Sequence, residues 1–187
     1  MTTQPPAGPP QVAGLDQAAE KTGLALPDGT TRLIAAPKAA GKTRTFADNM
    51  RRQDHVEAQI AEALFRAQTE AVGIEDYAYT KQSSATHRLA EIGGTVRLAC
   101  WRAGIAIAII NTTHLKIYAT GDSGASKTQM GVAAFEHAGV KFPSEDECDA
   151  AWARWLVLDV LGHPVFKVPA KHRRVLAKIE LHRKEAV

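Results

Sequence analysis

The chain reads as an α/β domain built on a mixed sheet, and three observations point to that class. Short strand candidates joined by tight turns fill residues 12 to 36. Beyond them, amphipathic stretches (46–70 and 83–102) alternate with short apolar runs (71–75 and 105–110). The length of 187 residues, 45% of them hydrophobic, suffices for one domain with a full core.

Residues 1–10 are polar and Pro-rich and are expected to form a disordered tail. Val12 to Leu15 is an apolar run ending in Asp16. Thr22 to Leu26, the turn Pro27-Asp28-Gly29 and Thr31 to Ala36 continue it as an antiparallel meander. Gly41-Lys42-Thr43 looks like the end of a phosphate-binding loop, but the glycine that motif needs five positions earlier is Ala36. The nucleotide reading is therefore rejected. Lys38, Lys42, Arg44, Arg51 and Arg52 are read as a basic loop running into a helix.

That helix is expected over 46–70, with Val56, Ile60, Ala63, Leu64 and Ala67 as its apolar stripe. Ala71 to Ile74 is a strand ending in Glu75. The next helix, 83–102, buries Leu89, Ile92, Val96 and Cys100. Gly93-Gly94 inside it costs about 1 kcal/mol per glycine relative to Ala, which points to close approach of another backbone, from this chain or a partner subunit. Ile105 to Ile110 is unbroken and apolar, as a buried parallel strand is. Asn111 caps a short helix through Tyr118, and a loop at 121–124 leads to a helix over 125–138. Lys127 stands in the first turn of that helix, where the dipole disfavours a cation; it is either solvated or aimed at an anion.

A last long helix opens at Ser144 and runs to about Leu161, ended by Gly162-His163-Pro164. Asp146 and Asp149 lie three apart in its first turns and so share a face. Acids are common there as caps, but the pair also suits half of a site for a hard divalent cation. Residues 166–187 are expected to form a basic amphipathic helix around Val175, Leu176 and Ile179, suited to phosphate contact or to solubility. The domain proper is placed at 11–165.

The net charge of +3 and pI near 8.9 permit a polyanionic partner without demanding one. Two cysteines, Cys100 and Cys148, make no disulfide framework and fit a reducing cytosol. No secretory leader and no apolar run of membrane-spanning length is seen, so a cytoplasmic protein with no membrane partner is expected.

Four stretches in order resemble one family: Gly14-Leu15-Asp16 with Thr22-Gly23, Gly73-Ile74-Glu75, Ser123-Gly124-Ala125-Ser126-Lys127, and Asp146-Glu147-Cys148-Asp149-Ala150-Ala151. They are similar to the RuvC-type Holliday junction resolvases of the ribonuclease H-like nuclease superfamily, over about residues 12–161. The basic C-terminal addition is phage-like, which would put the protein in a bacterial or phage-infected host cytoplasm. The resemblance implies a five-stranded mixed sheet flanked by helices on both faces. It also implies a homodimer that cleaves four-way junctions or other branched DNA with two Mg2+ ions per active site, or Mn2+. By it, Asp16, Glu75, Asp146 and Asp149 are metal-binding, catalytic acids, and Lys127 matches a catalytic basic residue near the cleavage site. Tyr77, Tyr79, Lys81, Lys127, Arg173 and Arg174 are then the candidate DNA contacts. Family members commonly carry Pro-Gly after the first Asp, where this chain has Gln17-Ala18, and an aromatic three after the Glu, where it has Ala78. Two other readings are a non-catalytic protein that binds branched DNA and an actin-like ATPase fragment. The first is disfavoured by the presence of all four acids, the second by missing Gly-rich phosphate hairpins.

Overall fold

The computed structural model describes residues 8–18, 20–39, 41, 43–76 and 84–185. Five strands form one mixed sheet: β1 (Val12–Gln17), β2 (Lys21–Ala25), β3 (Thr31–Ala35), β4 (Ala71–Glu75) and β5 (Ala106–Ile110). Their order is β3-β2-β1-β4-β5. The first three are the expected antiparallel meander, and β1, β4 and β5 run parallel. Parallel neighbours need crossovers, and α1 (Phe46–Arg66) and α2 (Ser84–Arg102) supply them. On the other face lie α3 (Thr112–Thr120), α4 (Lys127–Ala138) and α5 (Glu145–Val160). Among the described residues, no helix is long and apolar enough to cross a membrane.

Alternation along each strand divides the core. Ala13, Leu15, Val72, Ile74 and Ile107 face α1 and α2. Val12, Ala71, Ala108 and Ile110 face α5, whose Trp152, Leu156 and Val157 are fully buried. Asp16 continues the 12, 14 parity and Glu75 the 71, 73 parity, so both acids emerge on the α5 face at the ends of parallel neighbours. Three glycines let α5 lie almost on the sheet. A Cβ on Gly23 would strike the carbonyl of Asp146, one on Gly14 the carbonyl of Ala150, and one on Gly73 the carbonyl of Ala153. Those carbonyls mark successive turns of α5, so the helix crosses β2, β1 and β4 diagonally along a glycine path.

Several expectations need correction. The first helix ends at Arg66 rather than 70, closed by Gln68 at φ 49°, with the Thr69 amide bonded to the Leu64 carbonyl. Arg51 and Arg52 belong to α1 itself. Arg52 is fully buried against α2, 3.7 Å from the Glu91 carboxylate and donating to the Arg88 carbonyl, so it is no surface cation. Among the described residues nothing stands within 4 Å of a Cβ built on Gly94.

The C-terminal extension is not one amphipathic helix. It makes a single turn, α6 (Ala170–Arg173), then a 3₁₀ turn (Leu176–Lys178), and then runs extended to exchange both backbone hydrogen bonds between His182 and Ile107. The reason is tertiary. β5 is a sheet edge with unpaired amides and carbonyls, and an extended segment satisfies them where a helix would not. Val168, His172, Val175 and Ile179 bury themselves beside α3 and α5. Arg173 forks onto the buried Asp159 carboxylate at 3.0 and 2.7 Å, and the Tyr118 hydroxyl donates to the same group at 3.2 Å.

The glycine path gives a sharp test. Gly14→Ala forces a methyl against the α5 backbone and should cost about 1–3 kcal/mol, with about 2–4 °C of melting temperature lost per kcal/mol. Thermal unfolding followed by circular dichroism measures it; an unchanged melting temperature would mean that α5 is not held this close.

Candidate metal centre

Three elements converge where β1 and β4 end, the usual position for a ligand in an open sheet with parallel strands. β1 delivers Asp16, β4 delivers Glu75 and α5 delivers Asp149. Carboxylate oxygens from the three lie within 4.8 Å of one another. Asp149 is placed by the cap of α5, where the Ser144 hydroxyl accepts from the Glu147 amide and donates to the Glu147 carboxylate. Thr31 of β3 donates to the same Glu147 carboxylate at 3.0 Å, tying the helix start to the sheet. So Ser144 and Glu147 do the capping, and Asp149 is left free to face the strands.

Asp146 stands one turn earlier and outside that trio, more exposed than Asp149. Lys127 links it in. The Lys127 Nζ is 3.4 Å from Asp149, 3.5 Å from Asp146 and 4.0 Å from Asp16. Lys127 is the first residue of α4, whose amides are satisfied by a capping box between Ser126 and Gln129. Its charge is therefore answered by the acids and not by its own helix. Of the sequence-stretch candidates, Asp16, Glu75, Asp146, Asp149 and Lys127 thus come together, while Tyr77, Tyr79 and Lys81 lie outside the described residues. Arg174 is exposed on the C-terminal segment, and Arg173 is engaged by Asp159.

The electrostatics follow from packing acids into a partly dry corner. Burial raises the Asp16 carboxyl to about 8, aided by repulsion from Glu75 and Asp149 and opposed by Lys127. Burial also raises Glu75 to about 7, with Asp149 adding and the Thr112 hydroxyl, Lys127 and Lys116 opposing. Asp149 is raised too, by burial, against the pull of Lys127. Burial disfavours the Lys127 charge, but Asp149, Asp16 and Asp146 outweigh it and hold the ammonium well above its usual range.

Lys116 is a residue that the sequence reading missed. It sits one helical turn after Thr112 on α3, and the Thr112 hydroxyl donates to the Asp76 carbonyl just past β4. The signal was the spacing: 112 and 116 share a helix face, and the helix starts directly after a strand beside Glu75.

The donor set fits a hard divalent cation. It is all carboxylate oxygen, clustered, and one member is incomplete: the Glu75 Oε2 is buried and has no hydrogen-bond partner. One lysine cannot neutralise the group.

Known proteins share this fold. The family model described as crossover junction endodeoxyribonuclease RuvC matches residues 12–151. A structure of T. thermophilus RuvC in complex with Holliday junction substrate is similar at TM-score 0.64 and 19% identity, covering 84% of this chain and 98% of that one. A second Thermus thermophilus RuvC structure is similar at TM-score 0.60 and 21% identity, covering 84% and 99%. The shared architecture is the ribonuclease H-like fold.

Folded-state carboxyls raised above their unfolded values bind protons that the unfolded chain releases. Stability then falls as pH rises from the unfolded value, 3.8 for Asp16, through about 8. In chelator, the melting temperature should decline from pH 5 to pH 9. Asp16→Asn should flatten that decline and melt about 2–4 °C higher at pH 8 for each kcal/mol of relieved repulsion. Parallel pH profiles for both proteins would show the mechanism absent.

Proposed function

The chain belongs to the RuvC family, and is a crossover junction endodeoxyribonuclease; on that premise we propose that Asp16, Glu75, Asp146, Asp149 and Lys127 are its cleavage machinery. The single observation that carries the assignment is the convergence of Asp16, Glu75 and Asp149 within 4.8 Å, with Lys127 bridging to Asp146.

Asp16, Glu75 and Asp149 would hold the divalent ions, Mg2+ or Mn2+, with Asp146 completing the set from the exposed side. A pair of such ions would supply Lewis acidity toward the phosphate and toward an attacking water near neutral pH. Asp16, on the central strand β1, would be a ligand held in common with Glu75 and the α5 acids. The raised proton affinities of Asp16 and Glu75 make protons compete with the ions, so occupancy should rise with pH. Lys127 holds a fixed positive charge at the open side of the cluster, where it stabilises negative charge developing on the cleaved phosphate. Partial burial of Asp16 and Asp149 strengthens these interactions relative to open water. Lys116, on the Glu75 side, adds a second cation to the same field.

The substrate reading is branched DNA with four-way arms, which the T. thermophilus relative holds in its complex. Arg174, and Tyr77, Tyr79 and Lys81 in the segment after β4, are further candidate contacts. A homodimer would present two sites to the two strands that resolution must cut. Its candidate interface is the outer face of α2. There Gly94 has open space above it, and Leu98 and Trp101, one and two turns on, are 46% and 39% exposed.

One experiment tests acids and assembly together. Asp16→Asn, Glu75→Gln and Asp149→Asn should each lower single-turnover junction cleavage by about 100-fold or more while leaving junction binding within a few-fold. Lys127→Ala should slow cleavage and spare binding. Co-folded mixtures of parental and Asp16→Asn chains should nick one strand only, and light scattering should give twice the 20.1 kDa chain mass. Full cleavage by a single acid variant removes that residue from the machinery, and paired cuts from a monomer remove the dimer.

A further inference from the structure

A groove of about 560 Å3 runs from Lys127 along α4, closed on its far side by Phe142, Pro143 and the start of α5. Lys127 lines this groove and also stands 3.4 Å from Asp149, so the groove begins beside the acid cluster. Lys127, Gly131 and Phe135 follow one another at four-residue spacing and so form one stripe of α4. Eight helical residues put Phe135 about 12 Å from Lys127 along the axis, within reach of the nucleotides beside a phosphate held at the acids.

Three features of this groove are unexplained by the fold. Phe135 is 51% exposed and Val132 52%, on a helix whose other face is buried. The Lys141 Nζ stands 5.1 Å over the Phe135 ring, at the groove mouth. Gly131, mid-helix, costs about 1 kcal/mol relative to Ala, yet nothing lies within 4 Å of a Cβ built on it. Among the described residues no close packing repays that cost. A flat occupant lying against the helix would use the space.

We infer that this groove is a nucleobase seat: a base one or two nucleotides from the cleaved phosphate stacks on Phe135 over Gly131, with Lys141 at its backbone phosphate. Base–aromatic stacking tolerates any base, and Lys141 over the ring with Lys127 at the groove's other end, against the single lining acid Glu145, suits a polyanionic strand better than an apolar protein segment. The seat holds the strand on the Lys127 side of the acids, so it positions substrate without touching the reacting atoms. This rests on the nuclease reading above and names where that site grips its strand.

The test uses four-way junctions carrying 2-aminopurine at successive positions around the cleaved phosphate, bound in chelator so that no strand is cut. Parental protein should quench the reporter at one position. Phe135→Ala and Gly131→Leu should lose that quench and weaken binding about 5- to 150-fold, the range for one lost base stack. Phe135→Trp should keep it. Gly131→Leu should not lower the melting temperature, which separates a blocked groove from a damaged fold. No responsive position, or a quench that survives both variants, overturns the seat while leaving the nuclease reading intact if the parental protein still cuts junctions with Mg2+. A Phe135→Ala change in oligomeric mass by light scattering also overturns it, because the patch is then a protein interface. A parental protein that neither binds nor cuts junctions overturns both readings.

Discussion

The close approach of α5 to the sheet is the constraint from which the site follows. Helix backbone can lie on strand backbone only where side chains are missing, and Gly14, Gly23 and Gly73 clear that path across three strands. Had any of them been alanine, α5 would ride higher and Asp149 would stand farther from Asp16 and Glu75. The same approach buries Trp152, Leu156 and Val157 and so contributes hydrophobic stabilisation at the place where the acids oppose folding. Packing free energy thus offsets the electrostatic cost of clustering carboxylates.

That cost is partly screened from within by Lys127, which reaches three of the four acids. A lysine is suited to the task because its compact ammonium on a flexible stem can shift aside, whereas a guanidinium fork would lock onto one carboxylate. Arg173 on Asp159 illustrates the contrast. There the fork is two-pronged, the acid is buried away from the site, and the pair fastens the C-terminal segment across α5.

The sheet and the helices were legible because their signals are local. Alternating or unbroken apolar runs marked all five strands, and Ser144 and Asn111 marked the helix starts where the caps are found. The acids were legible because they end apolar strands or share a helix face. The C-terminal segment was not, since Val175, Leu176 and Ile179 have helical spacing while the demand of the β5 edge is non-local. The burial of Arg52 was not legible for a similar reason: nothing adjacent in sequence says that α2 will close over it. Lys116 and the Phe135 groove needed elements far apart in the chain to be brought side by side. The glycines of the α5 path were quoted as motif letters, and their reason appeared only with the helix in place.

The central claim is that Asp16, Glu75 and Asp149 form one divalent-cation site opposite Lys127. A crystal structure of crystals soaked in Mn2+ tests it most directly, because the anomalous signal locates the ion without assuming a ligand. The account predicts a peak bound jointly by carboxylate oxygens of Asp16, Glu75 and Asp149, with Lys127 Nζ moved away from the cluster, and loss of the peak in Asp16→Asn. A peak elsewhere, or an empty cluster with Lys127 still bridging its acids at saturating Mn2+, would contradict it.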